Sequence, residues 1–447
     1  MTDMTIEKAL KACGGRYCGG GDLSREVGRV VIDSREILPG DLFVAYRGEK
    51  VDGHDYISAA LDKGAVCCLA ERVPEGETRG VILVPDVQSA LEDIAAAYRD
   101  TLSLPIVGIT GSVGKTSAKE MISAVLSSRW KVCKTDKNLN NQIGVPMTLS
   151  RITPADEIAV VEMGISGFGE MSRLGRMVRP QIAVYTLIGH AHLEFLHDLD
   201  GVLRAKTEMI EYLPEDGLVI MNGDDEKLRG FDCPRRRIFV GLGEDCEIRA
   251  EDVASSEEGT DCTIVSAERR FRAHIPAFGR HLVYAALEAA AVGMELGLSD
   301  EEIVRGIASF AIVGRRSAVI RTEKLTLLDD CYNSNAEALH SGIDSLTELP
   351  GRHVCILGDM LELGDTARDA HFSGGAYAAE KGVARLLCCG EHAADYCEGA
   401  GAIARIFPDR ASLIAALGEE IREGDCVLVK ASRGAHFEEI SEALKVL

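Results

Sequence analysis

The stretch V107-G-I-T-G-S-V-G-K-T-S-A-K-E-M121 decides how the rest of the chain is read. Small apolar residues lead into a crowd of glycines, and Lys115 and Thr116 then open a helical pattern. A strand running through a glycine turn into a helix start aims backbone N–H groups at an anion, and the helix dipole adds to the attraction. Gly111, Ser112, Val113, Gly114, Lys115, Thr116 and Ser117 are therefore the expected phosphate contacts. Lys115 is expected on the β/γ-phosphates and the Thr116 hydroxyl on Mg²⁺. The familiar spacing G-x-x-x-x-G-K-[ST] requires a glycine five positions before Gly114, and that position is Ile109.

Outward from this loop, residues 106–310 alternate apolar β-type runs (IVGIT, AVVEM, IAVYTLI, GLVIMN) with helical segments. That pattern predicts a parallel sheet with helices on both faces. Residues 231–276 are charged and alternating, which predicts an antiparallel flap. GRHLVYAALEAAAVGMELG predicts an amphipathic helix stopped by glycine. Beyond residue 312 four more apolar runs (LTLLDDCYN, RHVCILGDM, ARLLCCG, DCVLVKASRG) each enter a polar loop, as in a second, doubly wound, Rossmann-like sheet. Residues 1–98 mix short strands and helices, and TLSLP reads as a linker. The expected division of this α/β chain is 1–98, 99–311 and 312–447, in keeping with roughly 100–200 residues per domain.

The 447 residues are 46% hydrophobic, enough for several cores, and carry a net charge of −22. Such a balance argues against a nucleic-acid binder, which needs a basic footprint. Of the 14 cysteines, Cys67-Cys68 and Cys388-Cys389 are adjacent pairs inside apolar runs, and no CxxC occurs. Buried thiols in a reducing compartment are expected, not a disulfide framework. With no charged-then-apolar leader and no run of 18 apolar residues, a cytoplasmic protein without membrane insertion is expected.

Polar residues at the ends of the predicted strands are the candidates for chemistry. Glu162 closes AVVEM in the same sheet as the phosphate loop and is placed to bind a metal. His190 and His192 follow another strand, and one of them is a candidate metal ligand, although their spacing is too generic for zinc. Asp330 and Asn333 follow LTLLD and suit ribose hydroxyls. Arg315 and Arg316 stand near the second domain boundary, where an arginine can clamp a γ-phosphate. No nucleophile elbow or cysteine signature occurs, which favours direct transfer to the substrate over a covalent enzyme intermediate.

Together these pieces resemble the Mur ligases, the ATP-dependent amide-bond ligases of peptidoglycan synthesis. The family's loop T-G-[ST]-x-G-K-[ST] is matched by T110-G-S-V-G-K-T116, and the family also lacks glycine at the position of Ile109. DSREILPGDLFVAYRGEKVDGHDYISAALDKGA, NLNNQIGVPMTLS, GHAHLEFL, AKTEMIEYL and ILGDMLELGDTARDAH extend the likeness over the whole chain. These blocks look most like the branch that adds D-alanyl-D-alanine to UDP-N-acetylmuramoyl-tripeptide through an acyl phosphate.

The resemblance implies ATP and Mg²⁺ as cofactors, UDP-MurNAc-tripeptide and D-Ala-D-Ala as substrates, and a monomer. It implies Glu162 and His192 as metal ligands and Lys206 as a carbamylated lysine whose new carboxylate serves a second metal. Arg315 is implied at the γ-phosphate and Asp330 at the ribose. Ser34 and Arg35 are implied at the uridine nucleotide, and Asn140 and Asn141 on the muramoyl-peptide side.

Three motifs depart from the family. H-N-x-x-N-A-L-A-A stands here as H281-L-V-Y-A-A-L-E-A289, without the asparagines, one of which normally helps hold the adenine. Y-N-A-N-P-x-S stands as Y332-N-S-N-A-E-A338, and K-G-S-R as K430-A-S-R433. The chemistry is expected to be kept; base selectivity is the property these departures touch. A paralogous ligase with another dipeptide or depsipeptide acceptor, or a catalytically weak cell-wall paralog, is the alternative.

Overall fold

A computed structural model describes residues 1–48, 51–256 and 258–447. The alternation resolves into three sheets. The first contains β1 (Arg16–Cys18), β2 (Val30–Val31), β3 (Leu42–Val44), β4 (Cys67–Ala70) and β5 (Val81–Leu83), in the order β1-β5-β4-β3-β2. Only the β1–β5 pair is antiparallel.

The second sheet contains β6 (Ile106–Thr110), β7 (Val132–Lys134), β8 (Ile158–Glu162), β9 (Ile182–Tyr185), β10 (Leu218–Asn222), β11 (Arg236–Gly241), β12 (Ile248–Ser256), β13 (Gly259–Val265) and β14 (Arg270–Ile275). Its order is β14-β13-β12-β11-β10-β9-β6-β8-β7. The strand leading into the phosphate loop is thus central. All five residues of β6 are buried, because one apolar core takes Val107 and Ile109 and a second, on the opposite face, takes Ile106. A strand covered on both faces shows a continuous apolar run, as IVGIT does.

The third sheet contains β15 (Ala318–Arg321), β16 (Leu325–Asp329), β17 (Arg352–Leu357), β18 (Arg385–Cys389), β19 (Ala404–Phe407) and β20 (Asp425–Lys430), ordered β15-β16-β20-β17-β18-β19. It is parallel except at its edge strand β15.

The helix Val87–Arg99 joins the first two units. Glu92 on it is buried and pairs with Arg173 at 2.7 Å, and Arg99 Nε donates to the Val178 carbonyl at 2.8 Å. Tyr98 donates its hydroxyl proton to the Ile152 carbonyl at 2.6 Å.

Two sequence expectations change. The segment 231–276 is not a separate flap. β11 lies parallel to β10 and to the start of β12, and only β12, β13 and β14 run antiparallel, extending the same sheet. The helix Leu282–Glu295 is not amphipathic: only Tyr284, Met294 and Glu295 escape burial. It is wedged between the sheet and the helix Lys115–Leu126, so water touches almost none of it. All fourteen cysteines are free thiols, none fully exposed. Among the described residues, no helix is long and apolar enough to cross a membrane.

The carboxyl ends of β6, β8, β9 and β10 point toward the third sheet, and those of β16, β17 and β20 point back. Ligands of parallel α/β sheets sit outside these ends. Here two such edges face each other across a cavity of about 730 Å³.

Candidate functional site

Gly111 and Gly114 shape the phosphate loop. Both have positive φ, 151° and 86°. A Cβ on Gly111 would lie 2.0 Å from Thr186 Oγ1, so the turn closes only without a side chain there. Ile109 is outside the turn: it pairs within the sheet with Glu162 on one side and Val184 on the other. The loop is tied down by Ser112, whose N–H donates to the Leu187 carbonyl at 2.7 Å and whose hydroxyl donates to the Gly189 carbonyl at 3.0 Å. Lys115 Nζ folds back onto the Gly111 and Ser112 carbonyls at 2.7 and 3.3 Å. Burial lowers its pKa, Glu162 opposes that shift and Arg316 adds to it.

Glu162 is buried at the end of β8 beside this loop. It accepts from the Thr116 hydroxyl at 3.2 and 3.1 Å and from Asn140 Nδ2 at 2.8 Å. Lys119, one helical turn beyond Lys115, reaches to 3.8 Å from Glu162 and donates to the Thr135 carbonyl at 2.9 Å. The sequence reading passed over Lys119, although its i+4 spacing from Lys115 was visible. Thr116, Glu162 and Asn140 form an oxygen-rich group next to the phosphate loop. Among the described residues, no three His, Cys, Asp or Glu side chains converge into a preformed metal cluster. The group matches the habit of Mg²⁺, which takes one or two carboxylates and completes its shell with phosphates and water.

Lys206, which sequence alone would place on a solvated helix face, is 1% exposed. Burial drives its pKa well below the ordinary lysine value and the positive Lys115 lowers it further. Its Nζ donates no hydrogen bond among the described residues.

The loop after β9 docks on the third sheet's unit. The His190 N–H donates to both Glu337 oxygens at 3.0 Å, and its ring nitrogen Nδ1 also contacts Glu337. His192, with φ 57°, places Nδ1 2.5 Å from Glu362. His192 and Glu162 line one cavity, but the His192 ring is engaged with Glu362.

On the facing wall the two neighbouring arginines separate. Arg315 pairs with buried Asp329 at 2.7 Å and with Glu442 at 2.5 Å. Arg316 lines the cavity, its guanidinium 3.8 Å from the centre of the Tyr332 ring. Asp330 and Asn333 also line it. Asp330 accepts from Ser317 N–H at 2.9 Å and from Lys430 Nζ at 2.5 Å, and Lys430 donates to the Asn333 carbonyl at 3.1 Å. Asp330 therefore faces the cavity as half of a pair with buried Lys430.

The other candidates are divided. Asn140 sits at Glu162, while the Asn141 side-chain oxygen caps the helix Gly144–Ser150, accepting from Gly144 N–H at 2.9 Å. Ser34 and Arg35 are in the first unit, outside this cavity. Arg35 is exposed and pairs with Asp33 at 2.6 Å, holding that carboxyl down at about 2.

Family models match the chain in three places: "Mur ligase family, catalytic domain" at residues 26–99, "Mur ligase middle domain" at 109–293, and "Mur ligase, glutamate ligase domain" at 315–433. The UDP-N-acetylmuramoyl-tripeptide--D-alanyl-D-alanine ligase of Bacillus subtilis is 37% identical over 428 residues, covering 93% of this chain and 92% of its own. The crystal structure of MurF from Acinetobacter baumannii superposes with a TM-score of 0.91 at 27% identity, over 99% of both chains. MurF ligase from Thermotoga maritima in complex with ADP superposes with a TM-score of 0.83 at 27% identity, over 94% of this chain and 97% of its own.

Proposed function

The chain belongs to the Mur ligase family, and on that premise we propose that it joins D-alanyl-D-alanine to UDP-N-acetylmuramoyl-tripeptide at the expense of ATP. The products are UDP-MurNAc-pentapeptide, ADP and phosphate, and the reaction serves peptidoglycan synthesis. The observation that carries this reading is the cavity between two sheet edges: a phosphate loop on one wall faces Arg316 and the Asp330–Lys430 pair on the other. Full-length likeness to ligases of that name supplies the substrates. We assign the units as 1–98 for the uridine nucleotide, with Ser34 and Arg35 as contacts, 99–311 for ATP, and 312–447 for the dipeptide and closure. The chain works as a monomer in the cytoplasm.

In this reading the terminal carboxylate of the tripeptide attacks the γ-phosphorus, the bond to ADP breaks, and an acyl phosphate forms. The amine of D-alanyl-D-alanine then attacks the carbonyl carbon. The tetrahedral intermediate loses phosphate and a proton, leaving the amide. Lys115 and Arg316 neutralise charge that builds on the transferring phosphoryl group, the largest task in such transfers. Two anionic substrates must be held together, so cationic positioning contributes heavily. Thr116 and Glu162 are the residues that would hold Mg²⁺, which when bound supplies charge neutralisation. Lys206 suits carbamylation. Burial and the positive Lys115 both favour its neutral form, the form nucleophilic toward carbon dioxide; on reaction its nitrogen gains the carboxylate and loses a proton.

The test is phosphate release from ATP in the presence of both substrates, each alone, and neither. Release that requires both is expected; release indifferent to the dipeptide would sink the assignment. In the same assay Lys206→Ala is expected to be inactive and partly restored by short-chain carboxylates. Failure of carboxylate to restore any activity would count against the carbamate.

A further inference from the structure

Behind the phosphate loop a second lysine is buried away from the cavity. Lys119 follows Lys115 by four residues, so both project from one side of the helix Lys115–Leu126. Their surroundings differ. Lys115 lines the cavity, whereas Lys119 does not and is 0% exposed. The Lys119 Nζ stands 3.0 Å from Glu120 Oε1 and 3.8 Å from Glu162 Oε2. It donates to the Thr135 and Lys137 carbonyls at 2.9 and 3.4 Å. A buried ammonium is tolerated when it is paired and hydrogen-bonded, and these four oxygens do both.

Glu120 also pairs with Lys134, so the cluster holds two lysines and two carboxylates. Of the four side chains only Glu162 lines the cavity. On that side Glu162 accepts from Thr116 and Asn140. A divalent cation approaching from the cavity therefore meets one carboxylate whose charge Lys119 already offsets from behind. Charges in a poorly hydrated interior act over several ångströms, so Lys119 repels the cation without touching it. The phosphates of a nucleotide in the loop add the negative charge that Glu162 cannot supply.

We propose that Lys119 is the counter-charge that keeps Glu162 from capturing a divalent cation by itself, so that the cation enters the site only together with the phosphates of a nucleotide. Lys119 touches neither nucleotide nor substrate and is a positioning residue that acts through Glu162. The inference rests on the nucleotide reading of the loop and adds how its metal is admitted. The competing role is a prop: Lys119 would only support the turn at Thr135 and Lys137 that brings Asn140 to Glu162. The two roles differ in sign. Removing a charge moves cation and anion affinities in opposite directions, whereas a disturbed turn weakens both.

The experiment measures two affinities of the full chain. One is for Mn²⁺, which suits the same oxygen ligands as Mg²⁺, read by electron paramagnetic resonance of the free ion with ADP absent and at saturation. The other is for ADP in the presence of chelator, read by calorimetry. Comparison with the wild type cancels Mn²⁺ held elsewhere on a chain of net charge −22. Lys119→Met keeps an unbranched side chain without the charge. It is expected to bind Mn²⁺ about tenfold or more tightly than the wild type with ADP absent, and metal-free ADP more weakly. Its melting temperature is expected to fall, because buried carboxylates lose a partner, and to recover with Mn²⁺ by more than the wild type gains. Glu120→Gln removes a negative charge beside the same Nζ and is expected to do the reverse: weaker Mn²⁺ at saturating ADP, tighter metal-free ADP. It decides alone if Lys119→Met does not fold. Mn²⁺ and ADP affinities that fall together, or a Mn²⁺ affinity left unchanged, overturn the proposal. So does a wild type that binds Mn²⁺ as tightly without ADP as with it. Opposite shifts without substrate-dependent phosphate release would overturn the ligase reading and leave the role of Lys119 standing.

Discussion

Arg315 and Arg316 are adjacent in the chain and face opposite ways. Arg315 neutralises Asp329, which is buried and also accepts from Ser441 Oγ at 3.0 Å. Arg316 stands over Tyr332 in the cavity. Arg316→Ala is expected to slow phosphate release on the order of 10²–10³-fold, as removal of a transition-state charge partner does, with little change in melting temperature. Arg315→Ala leaves a buried carboxylate short of a partner and is expected to cost about 1–3 kcal/mol of stability. Thermal melts and the phosphate assay on both variants check this; a larger activity loss at Arg315 would reverse the assignment. The resemblance selects Arg315 because a motif is a string, and a string does not say which of two neighbours turns inward. Thr116 and Glu162 were legible because strand ends and loop glycines fix their place. The burial of Lys206 was not, because its helix is covered by elements distant in sequence.

Among the elements, the helix Arg410–Glu420 ends on a carboxylate that ties two strands. Glu420 accepts from Arg385 of β18 at 2.7 and 3.0 Å and from Arg405 of β19 at 2.5 Å. These guanidiniums, Arg385 first, hold its carboxyl down to about 2 from an ordinary 4.5. A depressed carboxyl stabilises the fold above its unfolded value, and that contribution fades as pH falls from about 4.5 toward 2. The contribution is on the order of 2 kcal/mol. Glu420→Gln is expected to melt lower at pH 6 and to lose less on acidification than the wild type. Parallel melting curves for the two proteins between pH 6 and 3 would contradict it. β19 itself went unread in the sequence: ARIF is short and half exposed, with no buried run to mark it. The helix Leu282–Glu295 was legible as a helix and misread in its surroundings, since alanine-rich periodicity looks alike whether one face or every face is covered.

At the scale of the whole molecule, the loop after β9 ties the units bearing the second and third sheets together through polar contacts. His190 engages Glu337 and His192 engages Glu362, while Glu194 N–H donates to the Glu362 carbonyl at 3.3 Å. Phe278 adds an apolar contact, buried in the core of the third sheet's unit, and motion about interfaces is common where ligands bind between domains. The double variant Glu337→Ala, Glu362→Ala is expected to open the cavity, raising the radius of gyration measured by small-angle scattering without nucleotide. Scattering identical to the wild type would mean that other contacts hold the units together.

What the sequence by itself determined is the strand–helix alternation around the glycine loop, the loop itself and the family, because apolar periodicity and glycine spacing are local properties. Lys115, Thr116 and Glu162 lie near one another because the adjacent parallel strands β6 and β8 deliver their ends to one edge. Only the tertiary structure decided that Arg316 and not Arg315 faces the cavity, that Lys206 is buried beside Lys115, and that Lys119 stands behind Glu162. Each of those depends on surfaces brought together from distant parts of the sequence, where burial and charge, not sequence spacing, set the chemistry.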